Sequence, residues 1–221
     1  DLDGTIANTE FEGHLPAFNN AFNDLKIGWF WNADAYVDLL KVNGGKNRIA
    51  HYSEINNFSI TSDLVIKIHE RKQHHYLSNI RNNSVSLKSG VYRLIRNLND
   101  NNVRQFIVTS SSKEQAELLI FHLFKDFNPF EFIISSDDVR FHKPHPYPYI
   151  KAINLSGINK NNLLVFEDSN AGIRSSLAAE INTIYTPSNV PTNIDKELII
   201  NCIINNFGDD KSQAEVIKGP K

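Results

Sequence analysis

Six residues carry the types and spacings from which chemistry can be built. Asp1 and Asp3 stand two apart in Asp1-Leu2-Asp3-Gly4-Thr5, so in an extended segment they share one face. One carboxylate can attack phosphorus and hold it as an acyl phosphate. The other can protonate a leaving alkoxide and later take a proton from water. The run Thr109-Ser110-Ser111-Ser112 supplies hydroxyls, His142-Lys143-Pro144 an ammonium, and Glu167-Asp168-Ser169 two more carboxylates. The Ser110 hydroxyl (or Thr109, one register earlier) and nearby backbone N–H groups can bind phosphoryl oxygens, while Lys143 neutralises them. Asp1, Asp3, Glu167 and Asp168 can hold a hard cation such as Mg²⁺ through oxygen. Each piece alone has a bland reading: a solvated turn, a helix cap, a loop, a surface pair. Their joint occurrence, in this order, points to phosphoryl transfer.

These residues need elements that bring them together. Four of the segments follow or adjoin strand-sized positions. The spacing predicts strands over Val103–Val108, Glu131–Ile134, Leu163–Phe166 and Ile181–Tyr185. Helices are predicted over Gly90–Leu98, Lys113–Phe124, Tyr147–Leu155 and Ala171–Ala179. Alternating strands and helices imply an α/β fold, a doubly wound parallel sheet with helices on both faces. Such sheets bind ligands beyond the C-terminal ends of their strands, where these residues fall. Between Phe11 and Arg81 the period is helical instead, with Phe18, Phe22 and Leu25, then Leu64 and Ile68, at spacings of three and four. Asp34 opens a further helix, closed by Asn43-Gly44-Gly45.

Composition narrows the classes. Of 221 residues, 41% are hydrophobic and 22% charged, which allows a sizeable globular core. With 23 Lys and Arg against 25 Asp and Glu, there is no basic excess to suit nucleic acid. No apolar run nears the roughly 18–20 residues that cross a bilayer. The single Cys202 lies in the strand-sized run Ile199–Ile204 and reads as a small buried hydrophobe. It leaves no intrachain disulfide and favours a reducing compartment. Sequons at Asn57, Asn82 and Asn154 read as accidents of an Asn-rich composition. His69, His74 and His75 lack the further ligands that a zinc site needs.

The order of motifs resembles the haloacid dehalogenase superfamily of phosphohydrolases over essentially the whole chain. Asp1-Leu2-Asp3-Gly4-Thr5 is similar to its first motif, Ser110 to its second and Lys143 in Lys143-Pro144-His145-Pro146 to its third. Glu167-Asp168-Ser169-Asn170-Ala171-Gly172 is similar to its fourth. The third motif departs from many relatives in having Pro146-Tyr147 where they have Pro-Asp. The resemblance implies that Asp1 is the nucleophile and Asp3 the acid/base. It also implies that Ser110 and Lys143 hold the phosphoryl group. Mg²⁺ would be held by Asp1, the Asp3 carbonyl, Glu167 and Asp168.

The helical insert looks like the cap of the β-phosphoglucomutase-like branch. The expected organisation is a core of residues 1–10 and 83–221 and a cap of residues 11–82. Asn8-Thr9-Glu10, Gly13-His14, Trp29-Phe30-Trp31, Tyr36 and, above all, Gly44-Gly45-Lys46-Asn47-Arg48-Ile49 resemble the CbbY-type subgroup. That resemblance implies release of the 1-phosphate of xylulose 1,5-bisphosphate, an inhibitor of Rubisco, to leave xylulose 5-phosphate. Candidate substrate contacts are Glu10, His14, Gly45, Lys46, Arg48, Arg71 and Ser111. Cations such as Lys46, Arg48, Arg71, Lys72 and His14 suit a second phosphate, and a glycine pair lets backbone approach a ligand. Trp29 and Trp31 read as cap core before sugar platforms. A hexose phosphomutase and a non-catalytic sugar-phosphate binder remain as alternatives. The expected partner is a small sugar bisphosphate, not nucleic acid or membrane. The expected state is a monomer in the cytoplasm, or in the plastid stroma of a photosynthetic host. The nucleophile should close a central strand of some five to seven apolar residues. That strand does not precede Asp1 here, so the sequence is expected to be a truncated segment, poorly stable and inactive by itself.

Overall fold

Aromatic residues four apart and polar residues that compete for backbone N–H groups account for most of the residue 9–85 segment. A short π-helical turn, Glu10–His14, runs into α1 (Leu15–Asp24), followed by α2 (Ala33–Leu39), α3 (Gly45–Ile55) and α4 (Ser62–Arg81). Asn32 and Thr61 cap α2 and α4 by accepting from the N–H groups of Ala35 and Leu64, as short polar side chains do at helix starts. Gly44 opens α3 at φ +85°, a conformation that suits glycine. Phe18 and Phe22 lie on one face of α1 and bury against Trp31, Tyr36, Ile49 and Ile68. Trp31 is fixed through its backbone, which donates to Asn19 at 2.8 Å and accepts from it at 2.9 Å. Trp31 is thus core, and Trp29 packs on Tyr52 and Phe58.

A computed structural model describes residues 1–42 and 44–188, together with the backbone of residues 202–206 and 215–218. It divides into two compact units, residues 9–85 and residues 1–8 with 86–221. In the latter, α5 (Val91–Asp100), β1 (Gln105–Val108), α6 (Lys113–Leu123), β2 (Phe130–Ile134), α7 (Tyr147–Ser156), β3 (Leu164–Glu167), α8 (Asn170–Ala178) and β4 (Asn182–Tyr185) alternate as the sequence predicts. β5 (Cys202–Asn206) and β6 (Glu215–Lys218) follow. The Cys202 side chain and residues 199–201 of the predicted run lie outside the described residues.

β1 pairs in parallel with β2, and β3, β4 and β5 pair in parallel order. Two features differ from the expected sheet. β6 is antiparallel to β5, because the connection is shorter than the dozen or so residues a parallel crossover needs. In addition, β1-β2 and β3-β4-β5-β6 form separate sheets. Val108, Ile134, Tyr149, Ala152, Val165 and Ile181 join β1, β2, α7 and β3 in one apolar cluster.

Phe22 is fully buried in the helical unit. Phe22→Ala should therefore lower the unfolding free energy by about 3–5 kcal/mol, measured by urea denaturation.

Candidate active site

The residues at the carboxyl ends of β1 and β3 converge on one ammonium. Lys143 is only 4% exposed. Its Nζ donates to the Val108 carbonyl at 2.8 Å, Asp1 Oδ1 at 2.8 Å and Glu167 Oε1 at 2.5 Å. Tyr149 donates to the same Glu167 oxygen at 2.6 Å. Burial opposes both charges, but each stabilises the other. Desolvation alone would raise the Glu167 carboxyl; Lys143 and the nearby α-amino group outweigh it and hold the carboxyl below its ordinary value. Desolvation likewise opposes the Lys143 ammonium, yet Glu167 and Tyr149 carry it above its ordinary value. Burial keeps Tyr149 protonated well above the usual phenol range, so it serves as a donor.

The two first-motif carboxylates have different surroundings. Asp1 faces Lys143 and accepts from Thr5 Oγ1 at 3.3 Å. Asp3 Oδ2 accepts from Ser111 Oγ at 2.7 Å and Thr109 Oγ1 at 3.3 Å. One carboxylate is thus cation-paired and the other hydroxyl-bound, a difference that suits a nucleophile beside an acid/base. Ser110 lies between those two hydroxyl donors in sequence and is exposed. Ser112 caps α6, which gives part of the Ser run its capping role.

Asp1, Glu167 and Asp168 each place a carboxylate oxygen within 4.8 Å of the others. A hard divalent cation fits such an all-oxygen donor set. The Asp3 carboxylate is not in this group. Two glycines leave the space these acids occupy. A Cβ on Gly172 would lie 1.9 Å from the Glu167 carboxyl carbon, and one on Gly4, at φ +75°, would lie 2.0 Å from Asp168 Oδ2. Ser169 caps α8 by accepting from Gly172 N–H at 3.0 Å and donates to Glu167 Oε2 at 3.3 Å.

Sequence reasoning missed Thr5, Tyr149 and Lys88. Lys88 Nζ donates to the carbonyls of Gly4 at 2.8 Å, Pro187 at 2.9 Å and Thr186 at 3.4 Å. It thereby ties the turn after Asp3 to the segment that follows β4. Burial lowers its pKa, against the pull of Asp168.

In the helical unit, Tyr36 donates to Glu10 at 2.6 Å and Arg48 donates to Tyr36 at 3.2 Å and to the Leu39 carbonyl at 3.1 Å. These residues form one linked group. Lys72 Nζ lies 2.8 Å from His14 Nδ1 and beside the Phe18 and Tyr76 rings, and His14 stacks on Tyr76 at 3.9 Å. Lys72 is buried and lies in the four-residue stripe Ile68, Lys72, Tyr76, Ile80, a signal visible in the sequence. Its neighbour Arg71 points elsewhere, 3.7 Å from Asp24, which also meets His75 at 2.8 Å. Arg71 is therefore in a surface charge pair. Lys46 is exposed, and Gly45 lies against His69, where a Cβ would meet the ring at 2.8 Å. Burial, then Lys72, Lys46 and His14, lowers His69 to about 4.

A carboxylate held by a lysine, a second carboxylate bound by hydroxyls and an acidic pair at the next strand end are groups from which phosphoryl transfer can be built. Residues 1–186 match the haloacid dehalogenase-like hydrolase model, and the chain belongs to that family. It is an enzyme, a phosphatase of the CbbY type. It is 34% identical to Protein CbbY of Rhodobacter capsulatus over 190 residues, covering 85% of this chain and 83% of that one. CbbY from Rhodobacter sphaeroides in complex with phosphate has the same fold, with TM-score 0.81 and 27% identity over 94% of this chain and 92% of that one. A mutant of that protein in complex with xylulose-(1,5)bisphosphate gives TM-score 0.80 at the same identity and coverage.

Two outcomes follow from this geometry. Gly172→Ala, by displacing Glu167, should weaken binding of a divalent cation such as Mg²⁺ by tenfold or more (roughly 1.4 kcal/mol) in calorimetric titration. His69 has a folded-state pKa near 4 against an ordinary 6.5. The unfolded chain therefore binds more protons between those values, and stability should fall as pH drops from 6.5 towards 4. His69→Gln should flatten that fall in denaturation curves taken across the window.

Proposed function

We propose that this enzyme is a Mg²⁺-dependent phosphatase of sugar bisphosphates that removes the 1-phosphate of xylulose 1,5-bisphosphate. The observation that carries the reading is the pairing of Asp1 with Lys143, beside an Asp3 held by hydroxyls. Likeness to a protein solved with xylulose-(1,5)bisphosphate supports the choice of substrate. In the first step an Asp1 carboxylate oxygen forms a bond to phosphorus while the bond from phosphorus to the sugar oxygen breaks. Asp3 gives the departing oxygen its proton. In the second step water attacks the phosphorus, returns a proton to Asp3 and frees Asp1 and inorganic phosphate.

Lys143 orients Asp1 and neutralises charge on the transferring group. The exposed Ser110 hydroxyl and the backbone N–H groups around it bind phosphoryl oxygens. Asp1, Glu167, Asp168 and the Asp3 carbonyl would hold Mg²⁺, which neutralises carboxylate and phosphoryl oxygens when bound. The helical unit carries its own cations: Lys46, Arg48 and Lys72, the last with its Nζ 2.8 Å from His14 Nδ1. Their charge matches a second phosphate, and the Glu10–Tyr36–Arg48 group offers hydrogen bonds to sugar hydroxyls.

The test is a substrate panel on the protein with Mg²⁺, following inorganic phosphate. Xylulose 1,5-bisphosphate should exceed ribulose 1,5-bisphosphate, glucose 1-phosphate and phosphoglycolate in kcat/KM, and Asp1→Asn should abolish release. Preference for glucose 1-phosphate, or phosphate moved rather than released, would contradict the assignment.

A further inference from the structure

The turn that presents Lys143 is poor in backbone donors. In Lys143-Pro144-His145-Pro146-Tyr147-Pro148-Tyr149 every second residue is a proline, which fixes φ and carries no N–H. Between Lys143 and Tyr149 the backbone donors are therefore those of His145 and Tyr147 alone. Both are used, and both bonds involve His145. Its own N–H donates to the His142 carbonyl at 2.9 Å. The Tyr147 N–H, at the start of α7, donates to the His145 ring nitrogen Nδ1 at 3.1 Å. The His145 carbonyl accepts from Ser175 Oγ of α8 at 2.6 Å, and Ser175 is fully buried. One residue thus joins the position before Lys143, the start of α7 and the flank of α8.

The ring itself is held. It stacks on Phe141 with 4.7 Å between centroids. The Arg140 guanidinium lies 4.9 Å from the Phe141 centroid and 5.7 Å from that of Tyr147. A backbone N–H can only donate, so Nδ1 accepts and the neutral ring carries its proton on Nε2.

The shape of this turn decides where two donors of the site fall. Lys143 lies two residues before His145, and Tyr149 four residues after it. Both donate to the same oxygen, Glu167 Oε1, at 2.5 Å and 2.6 Å, while Lys143 also reaches Asp1 at 2.8 Å. Hydrogen bonds weaken steeply away from their preferred distance and angle. Two donors on one oxygen therefore require a chain reversal of fixed shape between them.

We propose that His145 is a positioning residue: its neutral ring, by holding the Tyr147 N–H, sets the turn that aims the Lys143 ammonium at Asp1. It touches no reacting atom. Because His145 acts through Lys143, the proposal rests on the role given above to Lys143 in phosphoryl transfer, and not on which sugar phosphate is cleaved.

The test compares His145→Ala, His145→Asn and Lys143→Ala with the parent protein, using p-nitrophenyl phosphate and Mg²⁺. An Asn side chain accepts from the N–H two residues on, as in an Asx turn, and so replaces Nδ1 without the ring. His145→Ala should lower kcat roughly tenfold, the worth of one hydrogen bond, with KM changed by less than about twofold. His145→Asn should recover kcat to within about threefold of the parent. Nitrogen-15 NMR of the His145 ring, assigned by its loss in His145→Asn, should show the neutral ring protonated on Nε2. Unchanged kcat in His145→Ala would overturn the proposal, as would equal losses in the Ala and Asn variants or a neutral ring protonated on Nδ1. A thermal midpoint lowered by more than about 4 °C together with a raised KM would mark a structural role only, and would overturn it too. Lys143→Ala should lose more kcat than His145→Ala. Full kcat in Lys143→Ala, with the ring proton on Nε2, would show that the role of Lys143 fails while the turn stands, and the proposal would fall with that role.

Discussion

The structure of this site depends on one buried ammonium. Lys143 is the point at which the loop after β2, the carboxyl ends of β1 and β3, and the first residue of the chain meet. A buried cation is costly unless its partners are close and fully bonded. Three acceptors within hydrogen-bond distance meet that demand here, and Glu167, itself wholly buried, is stabilised by the same contact and by Tyr149. Replacing Lys143 by an apolar residue would leave Asp1 and Glu167 as neighbouring carboxylates without the ammonium that bridges them. The group is therefore a constraint on the fold as well as on the chemistry.

Other features follow from the space and charge that this group requires. Gly4 and Gly172 stand where the Asp168 and Glu167 carboxylates need room. Ser169 serves a helix N-terminus and a carboxylate at once. Lys88 holds the carbonyl of the glycine in the Asp1–Thr5 turn, so the turn's shape does not rest on its own short hydrogen bonds alone. Preorganised groups of this kind need little rearrangement when charge develops on a phosphoryl group.

Much of this was legible in the sequence, and the reason is physical. Short apolar runs followed by polar residues mark strand ends, and in a doubly wound sheet strand ends are where ligands bind. That logic locates Glu167 and Asp168 after β3, whereas Asp1 and Asp3 are marked by their own spacing and Lys143 by the loop it opens. It gives no notice of Tyr149, which sits inside a helix and reads as core, or of Lys88, whose contacts are all to distant carbonyls. Adjacent residues on α4 show the limit within one element: Lys72 is in the buried stripe and Arg71 is on the surface beside Asp24. Composition treats them alike; helical phase separates them.

The central claim is that the Lys143–Glu167 attraction overcomes the cost of burying both charges. Carbon-detected NMR titration of the Glu167 side-chain carboxyl tests it most directly. The account predicts a midpoint below the ordinary value of 4.5, so that the pair's stabilisation persists above that value and fades only as pH falls through the lowered midpoint. A midpoint above 4.5 would mean that desolvation prevails, and would contradict the account.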